Sequence, residues 1–101
     1  MTQDKNVNLV KIKIELFGTA RMLTRKKNIL INVPINTTLT TILSETLNQC
    51  PELSENIISI KPIKLRKSYT MNLNGYSYLE NEKLKIKPND SILLIPSQSG
   101  G

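Results

Sequence analysis

Ser91-Ile92-Leu93-Leu94-Ile95-Pro96-Ser97-Gln98-Ser99-Gly100-Gly101 is the stretch on which the fold turns. Its first half is a continuous apolar run, which predicts a central strand buried on both faces of a sheet. Pro96 fixes its own φ and biases Ile95 toward extended geometry, so the chain is expected to leave the sheet in one direction. Gly100 and Gly101 follow at the carboxylate. Lacking a Cβ, they can enter a channel too narrow for a side chain, and a carboxyl terminus can itself be the reacting group. A frayed end is the plain alternative. The choice between the two rests on the residues upstream.

Working back from that strand, Pro88-Asn89-Asp90 predicts a turn, and Leu84 and Ile86 alternate with Lys83, Lys85 and Lys87 as in a short strand. Ser68 to Leu73 has strand composition. Asn74-Gly75 before Tyr76-Ser77-Tyr78 then predicts a two-residue hairpin, since a type I′ turn needs positive φ at both central residues. Further back, Leu39, Ile42, Leu43, Leu47 and Cys50 recur at helical spacing, with Thr38 as cap and Pro51 as exit. This amphipathic helix of about three turns needs an apolar sheet face to cover. Its stripe reads as core, not as a cofactor box. Between Pro51 and Lys67 the pattern is weakest; Ser54 is expected to cap a short helix through Ile58, with Pro62 stopping it and a loop beyond.

At the other end, Val10, Ile12, Ile14 and Leu16 alternate with Lys11, Lys13 and Glu15, predicting a strand over Leu9 to Phe17 with one dry and one wet face. Gly18 to Lys27 shows no period and reads as a connection. A second strand follows from Asn28 to Val33, with Ile29, Ile31 and Val33 on one face and Pro34 ending it. The order is strand, strand, helix, strand, short strand, strand: an α+β domain, one mixed sheet covered by one main helix. One domain is expected over 9–96, with residues 1–8 as a flexible leader and 97–101 as a flexible tail. There is no internal repeat.

Composition narrows the function classes. No apolar run approaches the 18 residues or so of a membrane span or the core of a signal peptide, so a cytoplasmic chain with no membrane role is expected. The sequence has no histidine and one cysteine, Cys50. That removes the usual general base, the usual metal ligand, any Cys-His or Ser-His pair and any internal disulfide. Cys50, before Pro51, reads as a helix-end or core residue, not as a reactive thiol. The net charge of +6 comes from 14 basic and 8 acidic residues. Most of the basic residues fall into three groups, around Arg25-Lys26-Lys27, Lys61 to Lys67 and Lys83 to Lys87. The aromatics Phe17, Tyr69, Tyr76 and Tyr78 do not interleave with them as in base-stacking platforms, so solvated faces are expected and nucleic acid is not an expected partner.

Phe17-Gly18-Thr19-Ala20-Arg21 closing the first strand, Asn72-Leu73-Asn74-Gly75 at the hairpin, Pro88-Asn89-Asp90 before the last strand and the ending Leu94 to Gly101 stand in the order and spacing of the MoaD/ThiS sulfur carriers. Over about residues 10–101 the chain resembles that family, nearest to the small subunits of molybdopterin synthase. It departs from the family where Asn89, Ser97 and Gln98 replace a frequent glycine, proline and apolar residue. The resemblance implies the ubiquitin-like β-grasp fold and a carrier subunit of a sulfurtransferase complex, without catalytic side chains of its own. A free carboxylate is a poor electrophile. An adenylating activating enzyme (MoeB-like) would therefore activate Gly101 with ATP as co-substrate, and a sulfur donor would displace AMP to leave a thiocarboxylate. Ser97, Gln98, Ser99 and Gly100 would thread into the larger synthase subunit (MoaE-like). Sulfur would then pass to a cyclic pyranopterin, forming the dithiolene that holds molybdenum or tungsten. No cofactor or metal would be bound by the chain itself, and apolar residues on an exposed sheet face would dock both partners.

Three other readings stay open. One is a ThiS-like carrier for thiazole synthesis, and the second is a ubiquitin-like protein modifier that also serves tRNA thiolation. The third, of another class, is a nucleic-acid or scaffold binding module that uses the basic groups.

Overall fold

The structure is a computed structural model that describes residues 8–80 and 83–97. Strands β1 (Leu9–Leu16) and β2 (Asn28–Pro34) form an antiparallel hairpin, and β9 (Ser91–Pro96) runs parallel to β1 on its other side. Strand β6 (Tyr69–Leu73) pairs antiparallel with β9, and β7 (Ser77–Tyr78) completes a mixed sheet in the order β2-β1-β9-β6-β7. Two small ribbons flank it: β3 (Asn36–Thr38) with β8 (Lys83–Lys85), and β4 (Ile58–Ile60) with β5 (Ile63–Leu65). The main helix is α2 (Leu39–Gln49), which packs against β2 and β5.

The core follows from the two periods in the sequence. Ile12, Ile14 and Leu16 of β1, Ile31 and Val33 of β2, and Ile92 and Leu94 of β9 all point to the inner face and are buried. Ile42 and Leu43 of α2 join the same cluster, so the helical stripe and the strand alternation meet in one apolar layer. Thr38 caps the helix as expected: its side-chain oxygen accepts from the Thr41 N–H at 3.2 Å. Leu39 and Leu47 pack only at the margin, while Thr46 takes a fully buried place and donates its hydroxyl to the Ile42 carbonyl at 2.8 Å.

Four expectations change. Residues Gly18 to Lys27 are not a plain connection, because Thr19–Thr24 forms a short helix, α1. Its N-cap, Gly18, has no side chain to cap it, so no local signal was present. Between Pro51 and Lys67 the helix expected from Ser54 through Ile58 is absent. Pro51–Leu53 forms one 3-10 turn, and Ile58 pairs instead with Leu65 across the β4–β5 hairpin. At Asn74-Gly75 both φ values are positive, 54° and 81°, as the turn requires. The register nevertheless opposes Leu73 to Ser77, so the loop takes in Tyr76 and has three residues, not two. Asn74 is also tied to β9: its Oδ1 accepts from the Ser91 N–H at 2.8 Å. Finally, β9 is dry on one face only. Ile92 and Leu94 are enclosed, but Leu93 and Ile95 are half-buried on the outer face, because the one long helix covers the inner side.

Candidate functional site

The expected site is the carboxyl-terminal segment, and of its residues only Ser97 lies among the described ones. Gln98, Ser99, Gly100 and Gly101 lie outside them, as does the leader before Asn8. What the structure defines is the place where the chain leaves the sheet. Pro96 stands opposite Tyr69 in the β6–β9 register, and the Ser97 N–H donates to the Ser68 carbonyl at 2.8 Å, extending the ladder one residue past the proline. The final segment thus starts from a central strand, between the first strand and the hairpin strand.

Three chain segments meet at this exit. The Phe17 N–H donates to the Leu94 carbonyl at 3.2 Å, holding the end of β1 against β9. Next comes Gly18, with φ +60°. A Cβ placed there would lie 2.8 Å from Pro96 Cγ and 2.9 Å from the Tyr69 hydroxyl, closer than side-chain atoms tolerate, so the position accepts only glycine without displacing the exit. Tyr69 is buried at 6% exposure, and its hydroxyl is used twice. It accepts from the Ala20 N–H at 3.0 Å and donates to the Phe17 carbonyl at 3.0 Å. The first of these bonds does for α1 what an N-cap side chain does elsewhere. Arg21 completes the corner, its Nε donating to the Leu16 carbonyl at 2.9 Å and its guanidinium lying 5.1 Å from the Phe17 ring centroid. Phe17 to Arg21 stands out in the sequence as a motif, whereas Tyr69 is marked there only as a tyrosine at the start of a strand.

Elsewhere the chemistry is sparse. Cys50 is fully enclosed, and burial pushes its thiol pKa up. Among the described residues no group of three or more His, Cys, Asp or Glu comes together as a metal site, and no helix is long and apolar enough to cross a membrane. A groove of about 650 Å³ between α2, β5 and β6 is walled by Leu39, Leu43, Ile63, Leu65 and Met71. Among the described residues Glu80 is the one carboxylate on its wall, without the second that paired acid–base catalysis uses. The three basic groups are all exposed on separate loops and ribbons. Arg66 comes within 3.9 Å of Glu55, with both side chains at least half exposed.

No protein-family model matches the chain, and no curated protein matches it by sequence. Solved structures do match. Small archaeal modifier protein 1 from Haloferax volcanii superposes with a TM-score of 0.74 at 18% identity, over 90% of this chain and 99% of that one. The same-named protein from Methanosarcina acetivorans gives 0.71 at 22% identity, over 93% and 99%. A candidate molybdopterin converting factor subunit 1 from Pyrococcus furiosus gives 0.62 at 19% identity, over 86% and 97%. At such identities the likeness is one of fold. The chain has the ubiquitin-like β-grasp architecture, as expected from the order of its elements.

Proposed function

We propose that this chain is a sulfur carrier, the small subunit of a molybdopterin synthase, bearing its sulfur as a thiocarboxylate on Gly101. The observation that carries the reading is the exit itself: a central strand of a β-grasp sheet that ends at Pro96, continues its ladder through Ser97 and leads directly into Gln98-Ser99-Gly100-Gly101. The likeness to a candidate molybdopterin converting factor subunit supports it. In this reading an activating enzyme joins the Gly101 carboxylate to the AMP of ATP and releases pyrophosphate. A sulfide equivalent from the sulfur donor then attacks the acyl carbon, and the acyl–phosphate bond breaks to release AMP. The thiocarboxylate is threaded into a larger subunit, which supplies the acid and base groups and the pterin substrate. The outer sheet face fits a docking role: Leu93 and Ile95 are half-buried there, beside Asn72, whose Oδ1 has no hydrogen-bond partner among the described residues.

The test is pyrophosphate exchange with the activating enzyme, followed by dithiolene formation when the thiocarboxylate form meets the larger subunit. One residue added after Gly101 should abolish exchange while leaving the fold intact. Unchanged exchange by the extended chain would sink the carrier reading. A second reading is favoured by the two archaeal modifier structures: a ubiquitin-like modifier whose activated Gly101 is passed to lysine amines. Mass spectrometry separates the two, because Gly101 linked to lysines of many proteins belongs to the modifier alone.

A further inference from the structure

We infer that Tyr69 and Gly18 are positioning residues that aim the carboxyl-terminal segment as it leaves the sheet. The functional consequence rests on the carrier reading, but the aiming is a property of this fold. Pro96 is restrained by its own ring, yet a fixed φ sets a direction only if the residues on either side are held. Here they are held from two sides. On one side, β6 pairs Tyr69 with Pro96 and takes the Ser97 N–H on the Ser68 carbonyl. On the other, the turn after β1 closes on the proline ring, with the space a Cβ of Gly18 would need already filled by Pro96 and the Tyr69 hydroxyl. That hydroxyl joins the two sides, since it sits on β6 and bonds the backbone of both Phe17 and Ala20. A single phenolic oxygen thus fastens the turn to the strand beside which the tail departs. α1, whose first turn it caps, is anchored to the same point.

An exit fixed through Ser97 presents whatever follows it to a partner's channel from a set starting point, which favours productive threading. Loosening it should weaken productive binding to the activating enzyme without touching a reacting atom. The expected signature of Tyr69→Phe is therefore a higher KM with a nearly unchanged kcat in pyrophosphate exchange, kcat/KM falling about tenfold, as for one lost well-placed interaction. Tyr69→Phe keeps the ring and removes only the two hydroxyl bonds. Gly18→Ala, which intrudes on Pro96, should act in the same direction. As a control for simple destabilisation, Thr38→Ala weakens the α2 cap, whose oxygen bonds Thr41 and no group at the exit, and should leave KM alone. Independently of any enzyme, the Ser97 amide should report the change: its hydrogen exchange should quicken about tenfold in Tyr69→Phe, and its residual dipolar coupling should move. An unaltered Ser97 amide in Tyr69→Phe, or an equal rise in KM in Thr38→Ala, would overturn the inference. Failure of the wild-type chain to support any exchange would overturn the carrier reading instead, and the Ser97 measurements would still decide the aiming.

Discussion

Cys50 closes α2 with its side chain fully enclosed, and its thiol is pushed above its ordinary pKa of 9.0, chiefly by desolvation. Nearby Lys26 opposes the shift and Glu52 adds to it. The folded chain therefore keeps the thiol proton to higher pH than the unfolded chain does. The stability this contributes is complete below the unfolded thiol's pKa and is lost as pH rises through the folded value. Two outcomes follow at this residue. Ellman's reagent should react with native protein far more slowly than with protein unfolded in guanidinium, because only the thiolate attacks and the native thiol is both protonated and covered. In Cys50→Ala, the alkaline decline in stability, followed by urea unfolding from pH 8 to 10 or so, should be shallower than in the wild type. Rapid native labelling would contradict the first, and a parallel decline the second.

At the scale of elements, α2 and the β1–β2 hairpin are formed from local signals that agree with their packing. The α2 cap is a case where the local contribution can be isolated. Thr38 accepts from the Thr41 N–H and lies at the margin of the core, so Thr38→Ala removes a cap without opening a large cavity. A loss of about 1 kcal/mol in chemical denaturation is expected. Ile92→Ala, in contrast, removes a fully buried side chain at the centre of the sheet and should cost about 2–5 kcal/mol. If the two losses were similar, α2 would depend on its cap far more than on its contact with the sheet. α1 is the opposite kind of element. With six residues and no side-chain cap of its own, it is too short to persist in isolation. Its stability comes from Tyr69 and from packing against Pro51–Leu53.

For the whole molecule, most of the basic residues are divided among the α1–β2 loop, the β4–β5 hairpin with the residues after it, and β8 with its flank, with Lys11 and Lys13 on β1 and Arg21 on α1. One of these basic residues, Lys64, borders the α2–β5–β6 groove together with Tyr78, while the groups around Arg25 and Lys85 share no groove with an aromatic among the described residues. Charge spread in this way attracts polyanions without selecting among them. Binding to duplex or single-stranded nucleic acid should thus be weak near physiological salt, with an affinity that falls along the log of salt concentration and little dependence on base sequence. A tight, sequence-selective complex at that salt would favour the binding-module reading over the carrier.

What the sequence determined by itself is whatever its periodicity encodes. The alternation through Val10 to Leu16 and Ile29 to Val33 set two strands with one buried face, the stripe from Leu39 to Cys50 set the helix, and Asn74-Gly75 set a turn with two positive φ values. These signals lie within one element, and they sufficed for the fold class. Tertiary structure decided the rest. The helix α1 exists because a hydroxyl 49 residues away caps it, and the pairing of β3 with β8 joins two segments that carry no mark of each other. Leu93 and Ile95 read as core from their run, yet lie half-open, because whether a face is covered depends on how many helices reach it. Nor did the composition around Pro96 reveal the Gly18–Tyr69 contact at the exit. Such contacts join positions distant in sequence, and a local pattern records the face a side chain takes, not the partner it meets there.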